Sequence, residues 1–113
     1  MPYLILNDAA GFLSFTEIVF GAGVTHKSMR ENTEVIMHAE VAISGSTIMF
    51  AEATGQWNNA TANLFVYVDN ADETYHKALA NGAENIMDLS NQSYGRTCGV
   101  KDPHGNVWWI TAC

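Results

Sequence analysis

The feature that most constrains the fold is an internal duplication: the chain runs twice through one layout of strand, helix and three further strands. Pro2 to Asn7 (PYLILN) is a short continuous apolar segment with strand character, and Asn63 to Val68 (NLFVYV) is its counterpart. Each leads straight into a helix start. Asp8 opens AAGFLSFTEIVFGAG, and Asp69 or Asn70 opens ADETYHKALANGA, with Asn70 and Glu73 at the spacing of an N-terminal capping box. Both helices are expected to stop at Gly-Ala pairs, Gly21-Ala22 and Gly82-Ala83, because glycine takes the left-handed conformation that closes a helix without steric cost. Beyond the glycines the apolar period becomes strand-like. His26 to Arg30, Glu34 to Ile43 and Thr47 to Glu52 complete the first half; Asn85 to Leu89, Arg96 to Lys101 and Asn106 to Ala112 complete the second. Gly45-Ser46 and Gly105-Asn106 mark matching hairpins. In Asp102-Pro103-His104-Gly105 the proline presets φ, the aspartate can accept from the backbone ahead of it, and the glycine accepts positive φ.

The modules, about 1–56 and 57–113, are joined by no linker or low-complexity tract, so they are expected to share one α+β domain. A hydrophobic share of 48% with 15% charged residues is ordinary globular composition and supports that reading. A net charge of -7 with five Lys and Arg gives a surface that repels phosphate backbones, which argues against a nucleic-acid partner. No apolar run approaches the ~20 residues that span a bilayer, and MPYLILNDAA lacks the marks of a signal peptide; a cytoplasmic protein with no membrane partner is expected. Cys98 and Cys113 have no metal or redox spacing and read as free thiols.

The duplicated layout, with PYLILNDAAGFLSFTEIVFGA at one end and YGRTCGVKDPHGNVWWI at the other, resembles the glyoxalase, bleomycin-resistance and extradiol-dioxygenase (vicinal-oxygen-chelate) superfamily. MHAEV at Met37 to Val41, the IMFAEA strand and the final WWIT look like its PhnB-like branch. The resemblance implies two βαβββ modules forming a cupped, eight-stranded mixed sheet around a central cleft, with helices outside. It also implies a homodimer. Metal-using members place ligands on the first and last strand of each module. Those positions fall here at Met1 or Pro2, Met49, Asn63 and Trp109, none of them His, Glu or Asp, so no metal and no cofactor is expected.

If Met37, Ala39, Val41 and Ile43 pack against the helices, the two-residue period of a strand puts His38 and Glu40 on the opposite face. A histidine beside a carboxylate suits general acid–base catalysis; a self-satisfied polar pair is the plainer alternative, and a displaced metal site adding Glu52 is a third. Thr47, Met49, Asn63, Phe65, Tyr67, Trp109 and Thr111 form the other expected walls, with Trp57 as a lid, a set suited to a planar or partly apolar molecule or simply to core filling. Tyr94 and Arg96 could receive an anionic group, or Arg96 could serve a surface or dimer salt bridge. His26, His76 and His104 read as solvent-facing. The leading expectation is a binding protein for a small organic molecule; the alternative is a lyase, isomerase or metal-dependent enzyme using His38 and Glu40.

Overall fold

A computed structural model describes residues 2–29, 36–54 and 59–112. The chain divides into two compact units, Met1–Thr61 and Ala62–Cys113. In the first unit β1 (Tyr3–Leu6) leads into α1 (Ala9–Phe20), followed by β2 (Gly23–Met29), β3 (Ile36–Ile43) and β4 (Ser46–Glu52). The second repeats the series as β5 (Asn63–Tyr67), α2 (Ala71–Ala80), β6 (Glu84–Gln92), β7 (Gly95–Lys101) and β8 (Val107–Ala112). Strand orders are β1-β4-β3-β2 and β5-β8-β7-β6, with β1 parallel to β4, β5 parallel to β8 and the other pairs antiparallel. The two βαβββ modules expected from the duplication are therefore present, each a mixed four-stranded sheet with its helix. Among the described residues no helix is long and apolar enough to cross a membrane.

The helix ends follow local chemistry. Asp8 Oδ1 accepts from Gly11 N at 3.0 Å and Asn70 Oδ1 from Glu73 N at 3.1 Å, each cap contributing about 1 kcal/mol. Ala9 N donates to Glu52 Oε1 at 2.9 Å, so an acid from the end of β4 meets the positive end of α1. Gly21, at φ 65°, closes α1 as expected. α2 stops sooner: Asn81 is its cap, and the left-handed turn follows at Gly82, φ 96°. The first hairpin turns on Ser44 (φ 50°) and Gly45 (φ 80°), both with positive φ, the pattern whose twist matches antiparallel strands.

Each helix covers one sheet face. Leu4, Leu6, Ala39, Val41, Ile43, Ile48 and Phe50 are buried at alternate strand positions, and Phe12 of α1 meets Phe50 edge-on at 4.9 Å between ring centroids. Val66, Cys98, Val100, Trp108 and Ile110 are the corresponding buried positions of the second unit. The opposite face of each sheet carries no helix of its own unit. It is there that the sequence places its candidate site residues.

Candidate functional site

Strand register assembles the first unit's open face as a row. Tyr3 on β1 pairs with Met49 on β4, Met49 with Glu40 on β3, and Glu40 with His26 on β2. His38, two residues before Glu40 on the same face, pairs with Ser28. The alternation inferred from the sequence holds for the described side chains: His38 and Glu40 are half-buried while Ala39 and Val41 are fully buried. No hydrogen bond joins His38 to Glu40. The histidine's ring neighbours are His26, with centroids 5.2 Å apart, and Tyr3, at 6.3 Å. His26 Nε2 lies 3.0 Å from Ser28 Oγ. His38 Nε2 is buried and has no hydrogen-bond partner, a condition that costs about 1–3 kcal/mol and is rare in folded proteins.

The equivalent row in the second unit is Phe65 on β5, Trp109 on β8, Gly99 on β7 and Met87 on β6. Gly99 is buried, and a Cβ there would lie 2.5 Å from Trp109 Cζ3 and 2.9 Å from Cε3. The six-membered ring of the indole thus rests on the glycine, filling the space of the missing side chain. Phe65, Tyr67 and Tyr94 are 54%, 56% and 54% exposed. Their rings are in contact, Phe65 with Tyr67 at 5.3 Å and with Tyr94 at 6.3 Å. Asn63 is exposed at the start of the same face. Thr111 is buried, its hydroxyl 3.0 Å from that of Thr97.

Arg96 does not join this group; of the two roles considered for it, the structure shows a surface salt bridge, made within the chain. Odd strand positions of β7 face the open side, so Arg96 turns to the helix side and makes a two-pronged pair with Asp72 of α2, Nε to Oδ1 at 3.0 Å and Nη2 to Oδ2 at 3.2 Å. The Arg96 hydrogen bond holds the Asp72 carboxyl below its ordinary range, and Asp72 raises the guanidinium in turn. Glu52 likewise faces the α1 terminus, away from His38 and Glu40. Trp57 and the lid expected there lie outside the described residues, as does the side chain of Met37.

The buried carboxylate of Asp102 is structural. It accepts from His104 N (2.9 Å), Asn106 N (3.0 Å), Asn106 Nδ2 (3.1 Å) and Trp108 Nε1 (2.8 Å), and Asn106 Oδ1 accepts from Ala62 N at 3.1 Å. The turn, the last strand and the entry to β5 are tied to one group. Cys98 is a buried free thiol whose pKa is pushed up to about 11 by burial and then by the charge of Asp72.

Two features escaped the sequence reading. His26 is exposed, as expected, yet it sits beside His38, because two register shifts in the β2–β3 pair decide which side chains meet. The Gly99–Trp109 contact had a signal, since a lone glycine inside a strand marks a bulge or a close approach.

The metal test is chemical. The first- and last-strand positions implied by the resemblance carry Met49, Asn63 and Trp109, which do not make a divalent-cation donor set, and among the described residues no three His, Cys, Asp or Glu side chains converge. These three positions therefore do not fit a divalent cation.

No curated protein matches the sequence. Among solved structures the chain is similar to TioX from Micromonospora sp. ML1, at 21% identity over 100% of this chain and 94% of that one, TM-score 0.78. It is also similar to the PhnB protein from Bacillus cereus (16%, 100% and 98%, TM-score 0.78). A third is TnmS3, an antibiotic binding protein from Streptomyces sp. CB03234 (16%, 97% and 90%, TM-score 0.73). At these identities the likeness is one of fold. The model of the Glyoxalase/Bleomycin resistance protein/Dioxygenase superfamily matches residues 3–110, and with the repeated βαβββ topology this places the chain in that superfamily.

Proposed function

We propose that the protein is a metal-free binding protein that holds a small, partly aromatic or apolar organic molecule on its helix-free sheet faces. The observation that carries this reading is the aromatic surface of the second unit. Phe65 meets the rings of Tyr67 and Tyr94, all three more than half exposed, and in the register Phe65 stands beside Trp109, whose indole is close against Gly99. Exposed contiguous aromatic surface is unfavourable in water, and covering the remaining half of each ring returns on the order of 1 kcal/mol apiece. Asn63 supplies a polar point at one end of that face. The structural likeness to an antibiotic binding protein agrees with this reading. Homodimerisation and a cytoplasmic location belong to the same proposal.

The test has two arms. Elemental analysis of protein purified without chelators or a metal-affinity tag, repeated after incubation with zinc, nickel, manganese and iron, is expected to find no near-stoichiometric metal. Titration with planar aromatic compounds is expected to quench tryptophan emission saturably in a Trp57→Phe background and to weaken at least tenfold in a Phe65→Ser, Tyr67→Ser variant. Metal at one per chain, or no saturable quenching, overturns the reading. Sedimentation velocity checks the dimer.

The competing reading, a lyase or isomerase using His38 and Glu40, draws on the unpartnered His38 nitrogen. It lacks the carboxylate contact that would orient the ring.

A further inference from the structure

We propose that the open face of the first sheet is a separate polar subsite that recognises a phenolic hydroxyl, with His38 Nε2 as its hydrogen-bonding atom. This goes beyond the aromatic-face reading and stands on a different sheet. Its basis is the buried, unpartnered Nε2 together with what surrounds it.

The surroundings select the ligand chemistry. The open-face row carries Glu40, while Lys27 pairs with Ala39 and so takes the opposite parity, so among the described residues no lysine or arginine on this face meets a carboxylate or phosphate ligand. A metal ion would need a third donor. His26 Nε2 is within hydrogen-bond reach of Ser28, and among the described residues no three-ligand group exists. A neutral polar group remains. An imidazole nitrogen accepts in one tautomer and donates in the other, whereas a carbonyl can only accept and an ammonium only donate. A hydroxyl does both and satisfies Nε2 in either form.

The flanking groups say what should carry that hydroxyl. His26 and Tyr3 place flat rings 5.2 and 6.3 Å from the His38 ring, and Met49 lies between Tyr3 and Glu40 in the register. Two tilted rings and a thioether suit the face and edge of an aryl group better than a sugar or an alkyl chain. Tyr3 is 56% exposed, and exposed side chains change rotamer in picoseconds to nanoseconds, so its ring beside His38 can adjust to an entering aryl group.

The experiment compares 3-nitrophenol, whose hydroxyl stays protonated at neutral pH, with nitrobenzene, which has the same ring and no hydroxyl, by calorimetric titration of the full chain and of His38→Phe, His38→Gln and Trp109→Ala variants. One hydrogen bond is worth about 2- to 10-fold in affinity. The intact protein is expected to prefer 3-nitrophenol by that factor, His38→Phe to lose the preference, and His38→Gln to keep part of it. Because Nε2 has no partner without ligand, His38→Phe should leave the thermal midpoint unchanged or raise it. Equal affinities for both probes in the intact protein, a preference surviving in His38→Phe, or a lowered midpoint in that variant would each overturn the proposal. Loss of nitrobenzene binding in Trp109→Ala reports on the aromatic face alone, so failure of the two readings is distinguishable.

Discussion

Replacing Gly99 by alanine tests whether the indole of Trp109 is seated by the absence of a side chain. The new Cβ would stand 2.5 Å from Cζ3, 2.9 Å from Cε3 and 3.3 Å from Cη2. Carbon atoms settle at about 3.5–4.0 Å, so the ring must lift by roughly 1 Å or more. Overpacking of this kind costs about 1–3 kcal/mol, and replacing a strand glycine returns about 0.5–1 kcal/mol of backbone entropy. The clashing atoms are the far end of a half-buried side chain on an open face, which can swing outward. The net loss is therefore set at roughly 0.5–2 kcal/mol, a few degrees in thermal midpoint. The larger effect is on the indole itself. In a Trp57→Phe background Trp108, fully buried, serves as the constant emitter, and Gly99→Ala should red-shift the remaining emission and increase acrylamide quenching. Trp109→Leu should abolish most of the alanine's cost in a double-mutant cycle. Unchanged emission and quenching, with a midpoint shifted by less than about 1 °C, would refute the packing argument.

Other groups give sharper stability readouts. Asp102→Ala strips the acceptor from His104 N, Asn106 N and Trp108 Nε1, and should cost at least about 3 kcal/mol in urea unfolding; a loss below about 1 kcal/mol would contradict a structural role. Cys98 is raised from 9.0 to about 11, so its contribution is complete below pH 9.0 and is lost as pH rises through about 11. In a Cys113→Ser background, Cys98→Ala should flatten that alkaline loss, and the native thiol should react with a disulfide reagent only as fast as the chain opens; immediate labelling would show the site is not closed. Asp72 is lowered from 3.8, so its stabilisation is present above pH 3.8 and is lost as pH falls through the depressed value. Asp72→Asn should shrink the acid dependence of the thermal midpoint, and an unchanged acid limb would show that Arg96 does nothing for the fold.

The fold was legible because its signals are local. An apolar strand, a cap such as Asn70, a glycine such as Gly21 and an alternating pattern such as Ala39, Val41, Ile43 each act within a few residues, and the duplication stated them twice. The faces of His38, Glu40, Phe65, Tyr67 and Trp109 followed from the same two-residue period. What was not legible depends on register and on side-chain direction across strands. Which residue of β2 stands beside His38 is decided by bulges, and one step would have exchanged His26 for its neighbour on the other face. The partner of Arg96 was out of reach for a related reason. Its parity was readable against Thr97 and Cys98, but its partner Asp72 lies on a helix 24 positions earlier, and only the packed structure brings the two together.

The two rows bear on where function resides in this chain. Tyr3, Met49, Glu40 and His26 hold the same sheet positions in the first unit as Phe65, Trp109, Gly99 and Met87 in the second. Behind both rows the helix-facing residues are alike in character, Leu4 against Val66, Val41 against Val100 and Phe50 against Ile110, because each must fill a core under one helix. The open faces carry no such demand, and there the units diverge completely. One presents imidazoles and a carboxylate; the other lays an indole on a glycine among exposed rings. A position freed from packing can change its chemistry without unfolding the module, whereas Trp108, one residue from Trp109, is bound to Asp102 and buried. Neighbouring tryptophans on one strand thus answer to different constraints, and the two units differ most on the side of the strand that the core does not use.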